Sequence, residues 1–382
     1  VELVVRSKVR QQLVEMFECA VDAVAGYNAT KRVVGKQCFR PDLIIAVGKA
    51  ASGMCAGALS ALADQKCHPQ ALLVTKYQHT DQTMLDHPNV TVIEAAHPVP
   101  DAQSLVAGAQ MRSAVNAMAQ GSKLLLLVSG GTSSLAEHLP QDVSLSDWQA
   151  LTDQMLSAGF NIGQINARRK ETSLLKDGKL LQAFDGSEVQ VLAISDVEGD
   201  GISVIGSGTG DTKHCRAQSR IELIGTNRVA RLAAQESAER AGYPVQCNIE
   251  NMYRDVNEVA VDIGTTLLQG SAGVYIFGGE PTVELPENPG SGGRNQALAL
   301  SLSEKIAGRS NIHILVAGTD GSDGPTNAAG GIVDGDTASD TVGVKDALAR
   351  ADAGSYLRQS NDIFITGPTN TNVMDVVIAI IE

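Results

Sequence analysis

Residues 123–135, KLLLLVSGGTSSL, constrain the fold more than any other stretch of the chain. Five apolar residues, 124–128, run straight into Ser129-Gly130-Gly131-Thr132-Ser133-Ser134. A short apolar run closed by glycines reads as a strand buried on both faces, as in a parallel sheet covered by helices. Gly130 and Gly131 let the backbone turn sharply and approach a ligand with no Cβ in the way. Thr132, Ser133 and Ser134 offer hydroxyls that can cap a following helix. Amide N–H groups, hydroxyls and a helix N-terminus together suit an anion, most simply a phosphate. The plainer reading is a tight strand-to-helix turn with Ser and Thr as caps. The loop is no Walker A sequence, because no Gly-Lys-Ser/Thr closes it.

A chain of 382 residues suggests two domains, each with its own core. Apolar content is ordinary, so the class is soluble and globular. The formal net charge of −13 argues against non-specific nucleic-acid binding. It leaves room for an anionic substrate, since a few local cations can hold one. Cys19, Cys38, Cys55, Cys67, Cys215 and Cys247 form no CxxC pair, which suits reduced thiols in a cytoplasm. No HExxH motif or His/Cys cluster predicts a built-in transition-metal site. Residues 3–24 are apolar at helical spacing but carry Arg6, Lys8, Arg10, Glu15, Glu18 and Asp22. They predict an amphipathic surface helix and no membrane span.

Residues 43–47, LIIAV, predict another strand, followed by Gly48-Lys49 and a helix. Lys49 thus stands at a strand end, where open α/β sheets place their ligands. A helix N-terminus disfavours a cation, so its placement there points to phosphate contact or proton transfer rather than simple solvation. Residues 71–75 and 90–94 read as strands, the second leading into a proline loop with His97 as a secondary candidate. Residues 163–184 read as one helix on which Arg169, Ser173 and Lys176 share a face, forming a basic stripe that can assist phosphate binding. Residues 189–194 predict a strand ending at Asp196, which can bind Mg²⁺ or simply hold a turn. The glycines around Ser207 lack the strand–GxGxxG–helix order of a dinucleotide fingerprint.

Residues 227–243 read as a long helix, and the domain boundary is expected to follow it. The second half repeats the same grammar. Residues 274–277, 312–317 and 362–366 predict strands that end in polar, glycine-rich turns, the last being the final strand. These turns carry Glu280, then Asp320 and Asp323. Arg294 follows Gly292-Gly293 at a helix start and can clamp a carboxylate or phosphate. Strands that end in such turns, with helices between, predict an α/β protein with ligand loops at the carboxyl edge of a parallel sheet.

Taken together, the motifs Val47-Gly48-Lys49-Ala50, His97-Pro98-Val99-Pro100-Asp101, Val128-Ser129-Gly130-Gly131-Thr132-Ser133-Ser134, Ile194-Ser195-Asp196-Val197 and Gly278-Gly279-Glu280 point to a known family. So do the segment around Arg169 and Lys176, Gly292-Gly293-Arg294-Asn295-Gln296, residues 318–326 and residues 367–373. In this order, along nearly the whole chain, they resemble the class II glycerate 2-kinases of the MOFRL family, whose members are often labelled hydroxypyruvate reductase. The resemblance implies a Rossmann-like parallel-sheet N-terminal domain, residues 1–243. It implies a smaller α/β C-terminal MOFRL domain, residues 244–382, with an active-site cleft between the two.

It further implies phosphorylation of D-glycerate, or a related hydroxy acid, to the 2-phospho product with ATP and Mg²⁺. It is compatible with a homodimer. Lys49 and Arg294 match the family's proposed catalytic pair. Ser129, Gly130, Gly131, Thr132, Ser133, Ser134, Arg169 and Lys176 are then expected to bind the cofactor. Asp196, Glu280, Asp320 and Asp323 are the metal candidates. Three departures stand out: Asp177 in place of a glycine, Glu171-Thr172 in place of His-Leu, and a shortened segment at about residues 210–218 that lacks a proline. The alternatives are an NAD(P)-dependent hydroxypyruvate reductase, against which the missing fingerprint counts, and a non-catalytic binder of sugar acids or sugar phosphates.

Overall fold

The apolar runs 43–47 and 124–128 become neighbouring parallel strands at the centre of a six-stranded sheet. The computed structural model describes residues 8–158, 160 and 162–382. Residues Ala25–Thr226 form one compact unit. Its strands are β1 (Leu43–Val47), β2 (Gln70–Lys76), β3 (Val90–Ala95), β4 (Lys123–Val128), β5 (Glu188–Ile194) and β6 (Gln218–Gly225). They lie in the order β3-β2-β1-β4-β5-β6 and every pairing is parallel. Residues 44–47 and 124–128 are fully buried, which explains why these strands show no alternation of polar and apolar positions. Strand order reverses between β1 and β4, and loops diverge there at the carboxyl ends. The Gly48-Lys49 turn and the Ser129–Ser134 loop leave the sheet side by side at that point.

Residues Asn227–Glu382 form a second unit together with the N-terminal helix Lys8–Val24. Here the strands are β7 (Val245–Met252), β8 (Gly273–Gly279), β9 (Ile312–Gly318), β10 (Gly330–Asp334), β11 (Ile363–Phe364) and β12 (Asp375–Ile381). Their order is β11-β10-β9-β12-β8-β7. This second sheet is mixed, because β12 inserts antiparallel between β8 and β9. The expected final strand at 362–366 shrinks to the two residues of β11, and the chain ends in β12, which is buried throughout. Since β8 and β9 both oppose β12, their carboxyl ends and the start of β12 share one edge. In that register Asp375 pairs with Gly279 on one side and Gly318 on the other.

The units divide at Thr226/Asn227, ahead of the expected 243/244. Helix Asn227–Arg240 belongs with the second sheet because Asn227 Nδ2 donates to the carbonyls of Val373 and Asp375, both at 3.0 Å. The amphipathic helix expected over residues 3–24 is present from Lys8, and residues 3–7 lie outside the described residues. Its buried face completes the second core: Arg10 pairs with Asp334 at 2.6 Å and Asp362 at 2.8 Å. Phe17 meets Phe364 edge to face at 5.3 Å. The single helix expected over 163–184 is interrupted. It is seen as Ile162–Thr172 and Lys179–Gln182, separated by a turn in which Asp177 and Gly178 take φ of 58° and 78°. Asp177 therefore occupies the left-handed region that suits the family's glycine, which aspartate tolerates. Its carboxylate is held by Lys213 at 2.6 Å, a residue of the shortened segment. Among the described residues no helix is long and apolar enough to cross a membrane.

Candidate active site

The loop after β4 turns where Gly131 takes φ 85°, and a single helical turn, Thr132–Leu135, follows. No side chain caps that turn, so the expected capping role of the hydroxyls is corrected. They serve the loop itself. Ser129 Oγ accepts the Ala50 N–H at 3.1 Å, fastening the loop to the Gly48-Lys49 turn. Thr132 Oγ1 points to the carbonyls of Ser129 and Val47, at 2.7 and 3.0 Å. Ser134 Oγ donates to Pro98 O at 2.6 Å. Three of the four hydroxyls expected to meet a phosphate are thus buried and engaged by the protein.

The glycines create the open face. A Cβ on Gly131 would stand 3.0 Å from Lys49 Cγ and 3.1 Å from His97 Cδ2. A Cβ on Gly130 would fall 2.0 Å from Asp196 Oδ2. Lys49, His97 and Asp196, from the ends of β1, β3 and β5, thus converge on two residues without side chains. The Lys49 side chain is half-buried and its ammonium takes part in no ion pair among the described residues. Burial, reinforced by Lys49, Lys76 and His79, lowers the His97 pKa to about 4. The imidazole is therefore neutral at physiological pH, beside a cation.

Lys176 lies elsewhere in its surroundings than the sequence predicts. It is completely buried and paired with Glu137, which is equally buried. Ser173 Oγ donates to the same carboxylate, and the His138 N–H adds a third donor at 3.0 Å. The Lys176 ammonium sits 6.0 Å from the centroid of the Trp148 ring. Burial pulls its pKa below the usual lysine value, against the pull of Glu137. A lysine with no exposed surface and a carboxylate on it cannot also meet a phosphate, so Lys176 is a structural ion pair. Arg169 stands near this carboxylate, half-buried, its pKa drawn down by burial and partly restored by Glu137. Glu137 itself was not among the expected residues. The hint in the sequence is an isolated acid three residues beyond the SGGTSS turn.

The second unit assembles a different cluster. Arg294 opens the helix Arg294–Lys305 and forks onto Asp375, Nε to Oδ2 at 2.6 Å and Nη2 to Oδ1 at 3.3 Å. Its Nη1 reaches Glu280 at 2.9 Å, and both side chains of that pair remain partly open to solvent. Burial alone would lower the Arg294 pKa, but Asp375, with Glu280 and Asp323, outweighs it and raises it above the usual value. Asp375 is fully buried and also accepts from Asn295 Nδ2 at 2.9 Å. Burial raises its pKa to about 6 despite Arg294. Sequence reading missed Asp375; its only signal is one acid directly before the apolar run VVIAII.

The four expected metal ligands are divided between the two units. Asp196 belongs to the first unit, and Glu280, Asp320 and Asp323 to the second. Among the described residues no group of three or more His, Cys, Asp or Glu could hold a metal. Asp323 is spent: its oxygens accept the N–H groups of Asn295 and Gln296, at 3.0 and 2.8 Å, and Gln296 Nε2 at 2.8 Å. It caps the helix that carries Arg294. Asp320 Oδ1 accepts the Ser322 N–H at 2.9 Å, an Asx turn. Mg²⁺ does not require a protein cage, since it often takes one or two carboxylates, waters and substrate phosphates. Asp196, against the glycine loop, fits that manner of binding.

A domain of unknown function (DUF4147) matches residues 12–237, and the MOFRL family matches residues 273–375. A D-glycerate 2-kinase from Thermotoga maritima is 31% identical over 96% of this chain and 97% of its own length. A glycerate 2-kinase from Pyrococcus horikoshii is 32% identical over 88% of this chain and 87% of its own. The crystal structure of glycerate kinase from Thermotoga maritima superposes with a TM-score of 0.90 at 31% identity, covering 98% of this chain and 99% of that one. The likeness spans both units from end to end, and the chain belongs to the MOFRL family of glycerate 2-kinases.

Proposed function

We propose that this protein phosphorylates the 2-hydroxyl of D-glycerate with ATP and Mg²⁺, the cosubstrate and ion that family membership implies. The observation that carries this reading is the near full-length likeness to a D-glycerate 2-kinase of Thermotoga maritima. The strand order of the first sheet supports a Rossmann-like unit. The β1 turn reads Gly48-Lys49-Ala50, with no dinucleotide fingerprint, which weighs against the reductase.

Phosphoryl transfer asks a protein mainly for positioning and charge neutralisation. Lys49 supplies a cation without an ion-pair partner among the described residues, beside the backbone of Gly131. Neutral His97 offers hydrogen bonding there without competing for an anion. Bound Mg²⁺ would neutralise phosphate oxygens, and Asp196 is the side chain that would hold it. Arg294 is aimed by Asp375, while its pair with Glu280 is exposed enough for a substrate carboxylate or phosphoryl group to displace.

Incubation with ATP, Mg²⁺ and D-glycerate should release ADP and give an immediate enolase signal, because enolase consumes the 2-phospho product directly. ADP without that signal means another position or acceptor. No ADP overturns the kinase reading and returns weight to NADH binding and to non-catalytic binding of sugar acids.

A further inference from the structure

Of the four hydroxyls in the loop after β4, only that of Ser133 belongs to a half-buried residue. Its Oγ lies 2.8 Å from Ser207 Oγ. Ser207 is completely buried, and its hydroxyl donates to Asn166 Oδ1 at 3.3 Å. A hydroxyl has one hydrogen to give. With the Asn166 amide oxygen facing Ser207 and taking its hydrogen, the contact between the two serines uses the hydrogen of Ser133. Ser133 then turns lone pairs, and no hydrogen, toward its open side. This hydroxyl has no hydrogen left for a phosphate oxygen, whereas a substrate hydroxyl finds an acceptor in it.

The backbone is committed to this arrangement. Gly206, Ser207 and Gly208 take φ of 55°, 56° and 78°, a left-handed run in which only the middle residue has a side chain. The N–H groups of Asp177 and Gly178 donate to the carbonyls of Ser207 and Gly208, at 3.0 and 2.8 Å, and hold the run. A non-glycine residue kept in that region signals a constraint that the surroundings enforce.

We propose that Ser133 is a specificity-determining acceptor for the non-reacting 3-hydroxyl of D-glycerate, and that Ser207 and Asn166 are positioning residues that set its polarity. This rests on the kinase reading above. A site built to pair with a substrate hydroxyl discriminates against the analogue that lacks it. D-Lactate is that analogue, with the same configuration at C2.

The test compares the KM for D-glycerate with the inhibition constant of D-lactate in the ATP- and Mg²⁺-dependent assay. The wild-type constant for lactate should exceed the glycerate KM by about tenfold or more. Ser133→Ala and Ser207→Gly should each erase most of that ratio by raising the glycerate KM, with lactate unchanged. The double variant should add little, since one chain of hydrogen bonds is removed once. Ser207→Gly relieves the left-handed position, so its thermal midpoint should equal or exceed the wild type. An unmoved ratio, equal weakening of both acids, or a shift in the Mg²⁺ requirement would overturn the proposal. Wild-type protein that releases no ADP overturns the kinase reading itself, and this proposal with it.

Discussion

Each unit buries a carboxylate against a cation, and the two pairs leave different things over. In the first, Glu137 and Lys176 have no exposed surface, and Ser173 and the His138 N–H complete the acceptor. Nothing remains to bind a ligand. In the second, Asp375 is equally buried, but Arg294 is about a third exposed and reaches a solvent-facing Glu280. A closed pair of this sort fixes one packing arrangement at considerable desolvation cost. A pair with one open end keeps part of its charge within reach of solvent. Lys49 is the third case, a cation with no ion pair among the described residues.

Several experiments would break or sharpen this contrast. Lys49→Ala should lower turnover by about three orders of magnitude or more while the thermal midpoint barely moves. Near wild-type turnover would remove Lys49 from the chemistry. Glu137→Gln leaves an unpaired ammonium in the interior and should cost about 3–5 kcal/mol in urea unfolding. The folded fraction should keep its KM for ATP within a few-fold; a large rise with unchanged stability would show that the pair does contact nucleotide. Arg294→Lys cannot reproduce the fork onto Asp375 and should lower kcat/KM about a hundredfold. If lysine serves equally well, a point charge suffices and the fork is incidental.

The smallest effect is a pH profile. Asp375 titrates near pH 6 in the folded protein, above the ordinary aspartate value of 3.8. Its carboxylate is the form that holds Arg294, so activity should fall about tenfold between pH 7 and pH 5 as it protonates. Stability runs the other way for this group. A raised folded pKa makes a contribution that is full below about pH 4 and lost as pH rises through about 6. Asp375→Asn should flatten both trends, and an acid limb that survives the substitution would assign it to another group.

The parallel sheet was readable because its signal is local. Four or five consecutive apolar residues and a glycine turn, at residues 43–48 and 124–131, fix strand, burial and exit point within a dozen residues. The mixed second sheet was harder to read. The run after Asp375 is as apolar as any other, yet its direction and central place depend on pairing with β8 and β9, far away in sequence. The N-terminal helix shows the same limit. Its apolar face was evident, but the surface that covers it lies some three hundred residues on, at Asp334, Asp362 and Phe364. Reading residues 163–184 as one helix failed for a local reason: Asp177 conceals a left-handed turn that a glycine would have announced.

By itself the sequence determined the α/β class, the loops at the strand ends, the place of Lys49, and membership of the family through motifs that keep their order. Only the tertiary structure decided which polar groups are spent. Lys176 and Glu137 are separated by 39 positions, and Arg294 and Asp375 by 81. Lys176 and Arg294 look alike as basic residues in motifs. Burial separates them, because a desolvated charge must be matched completely, whereas a charge at the edge of the core can share itself between a buried anchor and a ligand. The same holds for hydroxyls. Four stand in Ser129–Ser134, and only the fold, by giving three of them backbone partners and the fourth a buried serine, determined which one belongs to a half-buried residue.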